Sequence, residues 1–122
     1  RNVSGFQLYA DSTKLYADGA GTAGKYSSQV VNTGKVFLGA VVYDRAYSLM
    51  RLYINGVEDG NIALGDTTLT DIADINIGRI TLSGNPRDYF NGTIYQVSIY
   101  NRALSAQEIN VNYNATKKRY GL

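Results

Sequence analysis

Asn55-Gly56 is the dipeptide that most restricts what this chain can become. It stands between the apolar run Leu49-Met50-Arg51-Leu52-Tyr53-Ile54 and Val57-Glu58. Asparagine and glycine both accept the positive φ values of a type I′ turn, the two-residue link whose twist suits antiparallel strands. A hairpin is therefore predicted here with its register pinned, and Asp59-Gly60-Asn61 predicts a second bend close behind.

A second stretch, Phe90 to Ile109, reads as turn, strand, corner and helix start. After the turn dipeptide Asn91-Gly92, Ile94 to Tyr100 is rich in β-branched and aromatic residues, which predicts one long central strand. Period-2 alternation puts Tyr95, Val97 and Ile99 on one face, expected to be core, and Gln96, Ser98 and Tyr100 on the other. Asn101 to Leu104 turn the corner. Ser105 followed by Glu108 fits a capping box, so a short helix is expected to begin at Ala106.

Phe6–Ala10 and Lys14–Ala17 alternate around the polar turn Asp11-Ser12-Thr13 and predict another hairpin. Phe6, Leu8, Leu15 and Ala17 share one face, and Gln7, Tyr9, Lys14 and Tyr16 the other. Asp18–Ser28 holds three glycines without apolar period and reads as a loop. Strands are expected over Val36–Tyr43, within Ile62–Leu69 and over Ile75–Arg79; Thr81–Asp88, with the only proline, reads as a loop. Some eight short strands and one helix in 122 residues, with 13 glycines and 11 tyrosines, fit one all-β domain.

Three of these motifs together resemble laminin-G-like domains of the concanavalin A-like superfamily. Gly92, Val97 and Tyr100-Asn101-Arg102-Ala103-Leu104-Ser105 with Glu108 match the closing segment of such domains. Leu52-Tyr53-Ile54-Asn55-Gly56 matches a recurrent hairpin string, and Ile75-Asn76-Ile77-Gly78 the strand before the last long one. The resemblance implies an antiparallel two-sheet jelly-roll sandwich with a short C-terminal helix, over residues 1–122. Such domains usually carry further strands before the first one seen here. The expectation is that the chain is the C-terminal portion of a longer polypeptide. Tyr113 to Leu122 also resembles the tail of such domains in tailed-phage virion proteins.

The chain has no histidine and no cysteine, which removes Ser-His nucleophile activation, thiol chemistry and most transition-metal sites. Glycoside hydrolysis needs two facing carboxyl groups. The only glutamates are Glu58, beside a turn, and Glu108, explained as a cap, so no enzyme is expected. Net charge is +2, and the one dense basic cluster, Lys117-Lys118-Arg119, reads as a helix end. Nucleic acid is not an expected partner, nor is membrane insertion, since no apolar run is long enough to span.

Calcium stays a candidate through the resemblance, since such domains hold it in rim loops. Asp66, Asp71 and Asp74 form one oxygen-bearing stretch, and Asn85, Asp88 and Asn91 another, although turns also favour these residues. Tyr9, Tyr16, Arg51 and Tyr53 fall on strand faces opposite the core, with Tyr9 and Tyr16 near-opposite across their hairpin. They are the candidate ligand-binding residues. The expected function is a non-enzymatic binding or adhesion module on a virion or other extracellular assembly, contacting glycan or a neighbouring protein within a larger oligomer. The alternative is a structural virion module, decoration or fibre, that only joins subunits.

Overall fold

The computed structural model describes residues 6–11, 13–19, 22–31, 33–65, 75–82 and 84–122. Their elements in chain order are β1 Phe6–Asp11, β2 Lys14–Gly19, β3 Thr22–Val30, β4 Gly39–Asp44, β5 Leu49–Ile54, β6 Val57–Ala63, β7 Ile80–Leu82, β8 Asn85–Arg87 and α1 Ala106–Thr116, followed by a 3-10 turn at Lys117–Tyr120. All pairing is antiparallel: β1-β2-β3 form one sheet, β4-β5-β6 a second, and β7-β8 a small hairpin.

The predicted Asn55-Gly56 turn links β5 and β6. Asn55 has φ 50° and Gly56 φ 80°, the double positive φ of a type I′ turn. Asn55 is used twice more: its N–H donates to the Leu38 carbonyl at 2.9 Å, and its Oδ1 accepts from the Leu38 N–H at 2.9 Å. A Cβ on Gly56 would lie 2.8 Å from the Tyr113 Cβ. The turn thus needs glycine for conformation and for its approach to α1.

The two three-stranded sheets bury one face of each against the other. Leu15 and Ala17 of β2 and Val31 meet Met50, Leu52 and Ile54 of β5, with Phe37, Val41 and Tyr43 closing the layer. The Tyr43 hydroxyl crosses this layer to donate to the Asp18 carbonyl at 2.7 Å, and its ring lies on Phe6. Burial drives the Tyr43 phenol well above its ordinary pKa, with the Asp18 charge adding to the effect.

The expected loop Asp18–Ser28 is instead the end of β2 and most of the nine-residue β3. Polar residues form this strand because hydrogen bonds hold it. Ser27 is buried, and its hydroxyl accepts from the Leu15 N–H at 3.1 Å and donates to the Gln29 carbonyl at 2.7 Å. Asp59 is the extra residue of a bulge between Leu52/Gly60 and Tyr53/Glu58, which aims its carboxylate away from the ladder. That carboxylate accepts from the Ser28 N–H and from Gln29 Nε2 at 3.0 Å, tying β3 to β6. Asp59-Gly60-Asn61 therefore stays within β6 and makes no second bend.

Three further expectations change. Ile94–Tyr100 is not a strand, and its residues are exposed. Ile75–Arg79 is likewise non-strand where described, and the expected loop Thr81–Asp88 holds β8 and most of β7. A strand sequence forms a strand only against a ladder partner, and Ile94–Tyr100 has none among the described residues.

Helix α1 begins where expected. Ser105 Oγ accepts from the Glu108 N–H at 3.1 Å, and Glu108 accepts from the Ser105 N–H at 2.8 Å, a complete capping box. Leu104 and Ile109 bring this element down onto Val42 and Tyr53, on the outer face of the second sheet.

Candidate functional site

The outer face of the first sheet carries a row of tyrosines, one from each strand. Tyr9 stands opposite Tyr16 in the β1/β2 register, and Tyr16 opposite Tyr26 in β2/β3. Such directly opposed side chains are the closest cross-strand neighbours a sheet offers. Ring centroids are 5.0 Å apart for Tyr9–Tyr16 and 4.5 Å for Tyr16–Tyr26, tilted by 48° and 55°, within the range of favourable aromatic pairs. Tyr26 is 47% exposed, and Tyr9 and Tyr16 are half-buried.

Gly24 is what lets the middle ring lie across β3. A Cβ there would fall 1.9 Å from the Tyr16 hydroxyl oxygen, and its φ of +87° suits glycine. The Tyr16 hydroxyl donates to the Ala23 carbonyl at 3.3 Å. The result is a tilted surface of three neighbouring rings on one face of the sheet.

Of the four predicted ligand residues, Tyr9 and Tyr16 come together. Arg51 and Tyr53 lie on the other sheet and are engaged elsewhere. Arg51 Nη1 donates to Asp44 Oδ2 at 2.9 Å, and its guanidinium sits 5.5 Å from the Tyr47 ring centroid. Tyr53 does face away from the central layer, as alternation requires. However, it is only 2% exposed, because Leu104 and Ile109 cover it, so it is not available to a ligand. Burial, and next the Glu58 charge, raise its phenol pKa.

Tyr26 and Gly24 were missed because their stretch reads as a glycine-rich loop. The signal that could have found Tyr26 is its place in register with Tyr16 once Lys14–Gly19 is extended into a second hairpin.

Glu58 and Glu108 are each held locally. Glu58 Oε1 accepts from Asn61 Nδ2 at 2.9 Å. Arg102 clasps the two Glu108 oxygens at 3.0 and 2.8 Å, which with the Ser105 N–H lowers that carboxyl to about 2. A shallow groove beside the start of α1 is walled by these partners and by Tyr100, whose hydroxyl accepts from Asn112 Nδ2 at 3.3 Å. In its walls Arg102 pairs with Glu108, and Asn112 with Tyr100.

Asp66, Asp71 and Asp74 lie outside the described residues. Among the described residues, no three carboxylates converge as a metal site, and Asp88 pairs with Arg87 at 3.3 Å. No described helix is long and apolar enough to cross a membrane.

Comparison with known proteins gives two findings. The family model for laminin-G-like domains, described as the concanavalin A-like lectin/glucanases superfamily, matches residues 3–110. The fold is similar to the crystal structure of an S-layer domain-containing protein from Clostridium thermocellum, with TM-score 0.60 at 22% identity. That match covers 93% of this chain and 65% of the solved one. No curated protein matches the chain.

Proposed function

This chain belongs to the laminin-G-like domains of the concanavalin A-like lectin/glucanases superfamily, and from that premise we propose that it is a non-enzymatic binding module whose ligand stacks on Tyr9, Tyr16 and Tyr26. The observation that carries this reading is the contiguous row of three rings, with Gly24 making room for the middle one. Aromatic faces offer the C–H edges of a sugar ring a large apolar contact at low entropic cost, while phenol hydroxyls reach its own hydroxyls. A glycan is therefore the ligand class we infer. The tilts between rings suit a flexible single glycan chain more than a flat crystalline surface.

The absence of an activity is part of the proposal. The chain contains neither histidine nor cysteine, and both glutamates are engaged by near neighbours in sequence. The setting we infer is cell-surface or extracellular, in keeping with the S-layer domain-containing protein that shares the fold. A virion setting rests on the tail Tyr113–Leu122 alone. The structural, subunit-joining alternative draws on a different surface, the uncharged run Thr93–Tyr100.

Glycan-array screening followed by calorimetry tests the reading. Tyr26→Ala and Tyr9→Ala should each weaken the best glycan roughly tenfold, the scale of one lost aromatic contact. Undiminished binding by the double variant, with unchanged thermal unfolding, would remove the tyrosine row as the site.

A further inference from the structure

The register of β2 against β3 breaks immediately beyond the tyrosine row. Tyr16 faces Tyr26 and Lys14 faces Val30, so Leu15 alone stands against Ser27, Ser28 and Gln29. A bulge of this kind takes backbone groups out of the ladder and re-aims the side chains next to it. Ser27 repairs one side of the break, since its hydroxyl accepts from the Leu15 N–H at 3.1 Å. The other side is repaired from the second sheet.

The β5/β6 pairing has its own bulge at Asp59, and the two irregularities meet. Asp59 Oδ2 accepts from the Ser28 N–H and, at 3.4 Å, from the Gln29 N–H, while Oδ1 accepts from Gln29 Nε2 at 3.0 Å. The Ser28 hydroxyl donates to the Asp59 carbonyl at 3.3 Å. Lys25 lies across Gly60, where a Cβ would come within 2.8 Å of the Lys25 Cε. Residues on both sides of Tyr26 are thus fastened to β6. N–H donors held by a carboxylate make charge-assisted bonds, stronger than neutral ones.

Resting on the glycan reading above, we propose that Asp59 is a positioning residue for the tyrosine row. Its carboxylate holds the β3 bulge in place, and that bulge sets the 4.5 Å separation and 55° tilt of Tyr26 against Tyr16. Asp59 acts through the Tyr26 ring, and the tilt it fixes selects which neighbouring sugar rings can lie on Tyr16 and Tyr26 together.

Ring geometry can be read without any glycan. Photochemical oxidation with ruthenium tris-bipyridyl and persulfate couples touching tyrosines as dityrosine. Cleavage after lysine then separates the row, because Tyr9, Tyr16 and Tyr26 are each the sole tyrosine of the peptides ending at Lys14, Lys25 and Lys35. The unmodified chain should give both the Tyr9–Tyr16 and the Tyr16–Tyr26 product. In Asp59→Ala the Tyr16–Tyr26 yield should fall severalfold relative to Tyr9–Tyr16. Asp59→Asn keeps an acceptor oxygen and should retain it.

On the best glycan from the array, Asp59→Ala should lose roughly tenfold in affinity, as Tyr26→Ala does. Combining the two should add little, since both remove the same ring contact. An unchanged crosslink ratio in Asp59→Ala, or affinity losses that multiply in the double variant, would overturn the proposal. Should Asp59→Ala fail to fold, amide exchange on the unmodified chain decides: a protected Ser28 N–H is expected, and an unprotected one overturns the clamp. If Tyr9→Ala and Tyr26→Ala leave glycan binding intact, the glycan reading falls, while the crosslink ratio still decides the role of Asp59.

Discussion

Strand β5 and the run Thr93–Tyr100 are written in similar residues and live in opposite surroundings. Leu49–Ile54 has β4 on one edge and β6 on the other, with the first sheet over Met50, Leu52 and Ile54 and α1 over Tyr53. Thr93–Tyr100 has comparable β-branched and aromatic content, yet among the described residues it is in no ladder, and its ring contact and hydrogen bonds go to side chains of the C-terminal helical segment. β-Propensity measures how well a residue suits a pleated, half-buried surface. Whether that surface is supplied depends on which other segment arrives to form it.

The sharpest way to break this comparison is to remove the same kind of volume from both regions. Leu52 is 0% exposed, so Leu52→Ala should cost about 2–5 kcal/mol in chemical denaturation, from lost transfer energy plus a cavity. A cost below about 1 kcal/mol would mean that β5 is not the enclosed strand described here.

A smaller effect comes from the helix cap, whose partners are all close in sequence. The Glu108 carboxyl is lowered from 4.5 to about 2, first by the Arg102 side chain and then by the Ser105 N–H. A carboxyl with a depressed folded pKa contributes stability that is complete above its unfolded value and is lost as pH falls through its folded value. Thermal midpoints should therefore decline between about pH 4.5 and 2, by less at high salt because the pair is exposed. Glu108→Gln should flatten that part of the profile, and superimposable profiles would show that the pair does not hold the cap.

The smallest effect is expected at the exposed run. At concentrations where the chain is monomeric, Ile99→Ala should change stability by no more than about 0.5 kcal/mol. A loss matching that of Leu52→Ala would show that the run is core after all and would end the contrast.

What could be read from residues alone was local. Asn55-Gly56 named its turn type, Ser105 and Glu108 named the helix start, and alternation placed Tyr9 opposite Tyr16. Family membership was legible too, because strings such as Leu52–Gly56 and Tyr100–Ser105 keep fixed register. Strand β3 was not legible. Its stability comes from Ser27 and from the bulged Asp59 across the sheet, and neither leaves an apolar period.

Tyr53 marks the other limit, since alternation assigns a face but cannot say whether a helix far along the chain, Ala106–Thr116, will cover it. Turns, caps, register within hairpins and the family follow from residues that act over a short span or as fixed strings. Which strand patterns found partners, which tyrosines became core and which formed a surface row became visible in the packed fold. Those outcomes depend on contacts between distant segments, and their free energy appears only when both sides are in place.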